Sequence, residues 1–323
     1  MKITLSPSRF RLAVQAAFTL FCLYAGYRFI GFVAWASGRS ETFVPKPGSV
    51  EGFLPISALM GFRQLLETGR WDPVHPAGLT IFLAVLTMAL LFRKGFCGYV
   101  CPVGFLSSLL ERTGRRLGLA VIPPRWLDLP LHGVKYLLLA GFCIAVFSMD
   151  PRSLRAFITG PYNMVADAGM LAFFLHPSAL ALAVIGLLAV ASLAVRNFWC
   201  RYLCPYGALL GLIAWFGPTA VQRNADICVH CGACRRQCPS GIDVQGKTVV
   251  RSPECIGCGR CVETCPVEGC LSFSVLGKKR IHWAVAGAGA VAVLLPAWLW
   301  ASSTGHWDSA LPAAMVRRFY SAF

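Results

Sequence analysis

The chain has 323 residues, of which 56% are hydrophobic and 14% charged, with a mean hydropathy of +0.62. Globular chains average about 25% charged residues, so a water-soluble enzyme is all but excluded, and 22 Phe and 9 Trp exclude intrinsic disorder. The net charge of +16 turns the question to sidedness, and 15 cysteines in short motifs point to metal ligation rather than a secreted disulfide framework.

Five apolar segments predict membrane spans, at 12–36, 75–92, 134–149, 178–195 and 281–302. In the first, Ala34-Trp35-Ala36 has the form of a signal-peptidase site. The run before it is longer than a normal h-region and contains Arg28, which favours an uncleaved anchor. The second span opens on His75-Pro76 and leads into FCGYVCPVGFL at 96–106. The fourth follows His176-Pro177 and leads into WCRYLCPYGAL at 199–209. Residues 165–176 either extend that fourth span or lie flat. Residues 102–110 and 203–217 are apolar but short, and read as interfacial helices.

The two cysteine motifs match as C-x-Y-x-C-P-x-G-x-L, with His-to-Cys separations of 22 and 24 residues. This is an internal repeat of two helices and a cysteine motif. Two such hairpins are expected to pack about a pseudo-two-fold axis along the membrane normal, bringing Cys97, Cys101, Cys200 and Cys204 together. Four converging thiols can hold a third cluster or another metal, or act as a redox-active dithiol pair. The plainer alternative is small packing residues at a helix end, against which the recurrence of the whole pattern argues.

The strongest signal lies between 228 and 266. Cys228-x2-Cys231-x2-Cys234-x3-Cys238-Pro239 is followed by Cys255-x2-Cys258-x2-Cys261-x3-Cys265-Pro266, the spacing of a bacterial two-cluster ferredoxin. In that pattern the fourth ligand crosses over. One 4Fe–4S cluster takes Cys228, Cys231, Cys234 and Cys265, and the other takes Cys255, Cys258, Cys261 and Cys238. Zinc also accepts Cys-x2-Cys pairs but does not require eight thiolates in this doubled spacing. Gly232, Gly257, Gly259 and Gly269 are expected to bring backbone N–H groups close to cluster sulfur. Cys22, Cys143 and Cys270 read as small apolar packing residues.

No C-x-x-C-H occurs and no histidine lies well inside a span, so no haem is expected. His75 and His176, at the outer span ends, face a quinone headgroup or a periplasmic partner, or simply accompany a proline that starts a helix. No dinucleotide fingerprint, P-loop or catalytic triad is present. The spans carry almost no acidic residues of the kind an ion pathway needs, which argues against a transporter.

Basic residues give the orientation. With the N-terminus inside, the stretches 1–11, 93–135 and 196–280 are cytoplasmic and hold 21 of the 30 basic but only 7 of the 14 acidic residues. That asymmetry accounts for the positive charge without nucleic acid.

Two Cys-x3-Cys-Pro motifs after transmembrane hairpins, followed by a two-cluster ferredoxin module, resemble the NapH-type membrane polyferredoxins. The arrangement is also similar to the C-terminal half of NosR, to MauN and to the CcoG/RdxA proteins. The resemblance covers about 75–275. In NapH-type subunits it implies quinol oxidation coupled to a periplasmic reductase; in the NosR and CcoG branches it implies electron supply to metal-centre assembly. Two departures stand out: a fifth span, and neither the flavin domain of the NosR type nor the C-terminal domain of the CcoG type.

The expected architecture is therefore an α-helical integral membrane protein of about five spans with a duplicated hairpin, carrying a small α+β ferredoxin-like cytoplasmic domain. Its parts are a first helix and periplasmic loop (1–74), the duplicated core (75–217), the ferredoxin domain (218–280), and a last helix with a short periplasmic tail (281–323). The expected function is electron transfer in the inner membrane between the quinone pool and a periplasmic or membrane redox partner. The alternative is a redox assembly or regulatory factor for a partner metalloenzyme.

Overall fold

A computed structural model describes residues 6–321. The first five residues of the basic N-terminal stretch and the last two of the C-terminal tail lie outside the described residues.

Past Gln15 the first helix, α1 (Pro7–Ala36), is apolar around its circumference apart from Arg28, with Leu20, Leu23 and Tyr27 exposed along it. A helix without a polar face cannot rest on a water-exposed core. The next, α2 (Pro55–Thr68), ends at Gly69 in the left-handed conformation, φ 68°. After it come α3 (Pro76–Phe92) and α4 (Pro102–Arg116). The latter is inverted: its buried stripe is Gly104, Ser107, Ser108, Glu111 and Gly114, whereas Val103, Leu106 and Leu109 are exposed.

Three helices follow in turn, α5 (Arg125–Phe147), α6 (Pro151–Ile158) and the short α7 (Pro161–Met164). Asp150 caps the second of these by accepting from the amides of Arg152 and Ser153 at 2.9 and 3.0 Å. Next, α8 (Ala166–Leu175) and α9 (Ala179–Ala194) are bent by 77° across the break at His176-Pro177. Residues 166–175 thus form a helix of their own, sharply bent against the fourth apolar segment. The helix α10 (Pro205–Phe216) follows the second cysteine motif.

The ferredoxin segment alternates β1 (Thr219–Arg223), α11 (Ala233–Gln237), β2 (Val249–Val250), α12 (Arg260–Glu263), β3 (Leu271–Val275) and β4 (Lys279–Ile281). Its strands form one antiparallel sheet in the order β2-β1-β3-β4, with Val221 opposite both Val250 and Phe273. Leu276 (φ 54°) and Gly277 (φ 70°) make the primed turn between β3 and β4. The chain ends through α13 (Trp283–Ala292), α14 (Leu294–Thr304) and α15 (Ala313–Tyr320).

Among the described residues, three helices are long and apolar enough to cross a membrane: α1, α5 and the run α13–α14. The bent pair α8–α9 makes a fourth if counted as one span, and α3, at 17 residues, sits at the lower limit.

The residues divide into two compact units. The first comprises 1–19, 85–139 and 185–293, so both cysteine motifs and the whole ferredoxin segment share one unit. Its core joins Val221, Val250, Leu271 and Phe273 of the sheet to the buried Cys234 and Cys238. The second comprises 20–84, 140–184 and 294–323. One of its cores gathers Phe29, Phe32, Trp35 and Tyr320, and another gathers Met60, Val146, Ile158 and Met164. The short C-terminal tail is packed, with Tyr320 buried and its hydroxyl donating to Asp167 at 2.7 Å.

Candidate functional site

The two ferredoxin motifs repeat one backbone conformation. His230 (φ 52°) and Gly232 (φ 71°) in the first correspond to Gly257 (φ 64°) and Gly259 (φ 71°) in the second. These left-handed residues curl each loop, and a short helix, α11 or α12, leaves directly after it. His230 is the one non-glycine of the four; Gln245 donates to its carbonyl at 3.3 Å.

Two cavities result. One is lined by Cys228, Cys231, Cys234 and Cys265, with the buried Cys270 on its wall. The other is lined by Cys238, Cys255, Cys258 and Cys261, together with Val221, Ile242 and Val250. Each cavity thus draws three cysteines from one motif and the last from the other. Among the described residues no three His, Cys, Asp or Glu side chains close on a single metal ion. Four thiols around an apolar cavity are instead the donor set of a polynuclear iron–sulfur centre, so the residues fit that group. Cys231 is exposed, whereas Cys258 and Cys238 are buried.

The duplicated motifs share a second local geometry. In each, a π-helical turn, Phe96–Val100 or Trp199–Leu203, carries the first cysteine, and the second cysteine caps the following helix. The Cys101 sulfur accepts from the Gly104 amide at 3.4 Å and the Cys204 sulfur from the Gly207 amide at 3.3 Å. Those first-turn amides have no acceptor within the helix, so the sulfur satisfies them, and the proline that opens each helix brings no N–H of its own. The four thiols lie within electrostatic reach of one another. Burial pushes the Cys97 thiol up to about 11 and the Cys200 thiol up to about 12. Free thiols there are neutral at pH 7 and poor nucleophiles.

Both repeats dock on the second cavity. In the first repeat, Tyr99 donates to the Gly257 carbonyl at 3.1 Å, and Lys94 lies 3.3 Å from Glu254. In the second, Asn197 donates to the carbonyl of Pro239, next to Cys238, at 3.2 Å. Lys135 of α5 reaches both Glu254 oxygens at 2.6 Å. Burial opposes ionisation of Glu254, but the Lys94 and Lys135 charges outweigh it and hold its carboxyl at about 2. This lysine–glutamate group had no sequence signal.

The two histidines are not brought together. His75 is 1% exposed, with Nδ1 3.2 Å from Glu51 and Nε2 2.7 Å from the Asn163 carbonyl oxygen. Glu51 is also met by Lys46 at 2.8 Å, and Lys46 by Asp167 at 2.7 Å. His176 is exposed at the end of α8. Both nitrogens of His75 are thus used within the protein, leaving neither for a headgroup.

Cysteine-walled cavities in a ferredoxin-type sheet, joined to apolar helices, define a membrane-associated 4Fe–4S electron-transfer protein. A 4Fe-4S binding domain model matches residues 74–120 and 175–224, and a 4Fe-4S dicluster domain model matches 220–266. YccM of Escherichia coli K12, named as an electron transport protein, is 39% identical over 321 residues, covering 97% of this chain and 90% of YccM. MauN of Methylorubrum extorquens, a methylamine utilization ferredoxin-type protein, is 30% identical over 67% of this chain and 74% of its own. NirI of Paracoccus denitrificans is 31% identical over 74% of this chain but only 35% of NirI. No solved structure matches. The chain belongs to the NapH/NosR/MauN-like family of ferredoxin-type proteins.

Proposed function

We propose that the chain carries electrons between the membrane quinone pool and a partner redox protein, using two 4Fe–4S clusters on the cytoplasmic face and a third redox centre at Cys97, Cys101, Cys200 and Cys204. The crossed cysteine sets around two cavities carry this reading. Cys228, Cys231, Cys234 and Cys265 hold one cluster; Cys255, Cys258, Cys261 and Cys238 hold the other. Each cluster supplies one-electron chemistry without proton bookkeeping. The protein's own part is to hold the thiolates, to exclude water from Cys234, Cys238 and Cys258, and to keep the sites on one compact unit.

The chain is read as crossing the inner membrane about five times, with its N-terminus and ferredoxin segment cytoplasmic and its C-terminus periplasmic. The basic stretches support that orientation. YccM, matched over nearly its whole length, favours electron transport. The names of NosR, a regulatory protein, and of MauN favour the second reading, electron supply to maturation of a partner metalloenzyme.

The deciding experiment is anaerobic EPR of the dithionite-reduced protein, freed of reductant and mixed with a menaquinone analogue. Rapid loss of the reduced-cluster signal is expected. A signal that survives quinone but falls to a soluble acceptor overturns the quinone link and favours the second reading.

A further inference from the structure

The seam between the first cysteine motif and the ferredoxin loop is buried and unequally charged. Lys94 is 3% exposed and Lys135 is fully buried, and both direct their ammonium groups at the single carboxylate of Glu254. Tyr136 adds only a neutral hydroxyl, 3.3 Å from the same carboxylate. The neighbouring Asp128 is already engaged by Arg201 at 2.7 Å and by the Tyr202 hydroxyl at 2.5 Å. Two buried cations on one anion leave a positive charge in excess, and such a charge is costly without a counter-ion. Lys94 stands one turn before Cys97, its carbonyl accepting from the Gly98 amide at 3.0 Å, which sets the positive end of the seam beside the repeat thiols. The missing anion is therefore to be sought among those thiols, once a metal centre ionises them.

The same seam fixes the order of the sites. Lys94 precedes Cys97 by three residues and Glu254 directly precedes Cys255, so the ion pair joins a cysteine of the repeat to one on the second cavity. Gly98 lies so close that a Cβ there would stand 2.5 Å from the Ile256 carbonyl oxygen. From the other repeat, Asn197 holds Pro239 beside Cys238 of that same cavity. The Cys228 cavity receives none of these contacts.

We propose that Lys94, Lys135 and Glu254 are positioning residues. They hold the Cys97/Cys101/Cys200/Cys204 centre against the Cys238/Cys255/Cys258/Cys261 centre and raise the potential of the former with their excess positive charge. This rests on the reading of the four repeat cysteines as a redox centre. The exchange moves one electron: the iron–sulfur centre in the second cavity is oxidised as the centre at the repeat cysteines is reduced, or the reverse, and no bond forms or breaks. The Cys228 centre exchanges electrons with the repeat cysteines only by way of the second cavity.

The test is EPR-monitored potentiometry of the full-length protein, purified anaerobically, with the repeat-cysteine signal identified as the one missing from Cys97→Ser. Lys135→Met is expected to move that midpoint to more negative values while leaving the Cys228-centre midpoint in place, and Lys135→Arg restores it. Glu254→Gln, which removes the one negative charge, is expected to move it the other way, and carries the test if Lys135→Met does not accumulate. Equal shifts at every centre, or none at the repeat cysteines, overturn the proposal. Spin quantitation of the unaltered protein tests the underlying reading separately: if no third centre is found, that reading fails before any variant is compared.

Discussion

Lys46 holds two carboxylates at once, Glu51 and Asp167, in a pocket where both are buried. Burial works against ionisation of Glu51, yet Lys46 and His75 outweigh it and keep its carboxyl below the ordinary range. A group with a lowered folded value contributes stability that is complete above its unfolded value of about 4.3 and is lost as the pH falls through the folded one. Glu51→Gln is therefore expected to cost about 3 kcal/mol at neutral pH, the low end for a broken buried pair because Lys46 keeps Asp167. It is also expected to flatten the acid limb of thermal unfolding measured in detergent. A second residue-scale outcome concerns the crossed thiols: Cys238→Ser is expected to abolish the EPR signal of the centre held by Cys255, Cys258 and Cys261, although Cys238 belongs to the first motif. Loss of only the other centre refutes the crossing. These eight cysteines were legible because three ligands of each set lie within seven consecutive residues. Glu51 and Lys46 were not, because nothing in the sequence announces that the 46–51 segment and α8 meet around one ammonium. The His-Pro pairs show the same limit. His75 has Glu51 beside it and is buried, whereas His176 sits at the bend between α8 and α9 and is exposed.

At the scale of elements, the repeat is local twice over: the same π-helical turn, cysteine cap and proline-started helix follow from the same ten-residue pattern. That much could be read in advance. The way the ferredoxin loop lies on the first turn could not, since Lys94 and Glu254 are 160 residues apart. Gly98 measures how tight that contact is. Gly98→Ala is expected to destabilise the first unit by about 1–3 kcal/mol, because backbone rather than a flexible side chain stands in the way. It should broaden or lose the signal of the Cys255 centre before that of the Cys228 centre. Equal loss of both would place the strain elsewhere. The inverted α4 makes a related point: a stripe of glycine, serine and glutamate packs inward, with Glu111 meeting Arg260 of α12 at 3.2 Å, while leucines point out. Such a helix is stable only if something apolar covers its outer side.

For the molecule as a whole, orientation is the open physical question, and the basic stretches answer it in one direction. Alkaline phosphatase fused after Lys278 is expected to be inactive in cells, and after Gly305 active; the reverse pattern overturns the assigned sidedness. The five apolar segments were visible in the composition, and three of the helices they form meet the length and hydropathy of a span without qualification. The short α3 stops at 17 residues before the first cysteine motif, and α8–α9 is broken at His176-Pro177, so neither is a single straight span-length helix.

Cys231 stands at the surface while its counterpart Cys258 is sealed beneath the docked repeats. Dissolved oxygen therefore meets the first cavity well before the second. A preparation handled in air should bleach in two stages, iron leaving the outer site early and the inner one late. Shielding that one sulfur is therefore what would protect the outer centre in air.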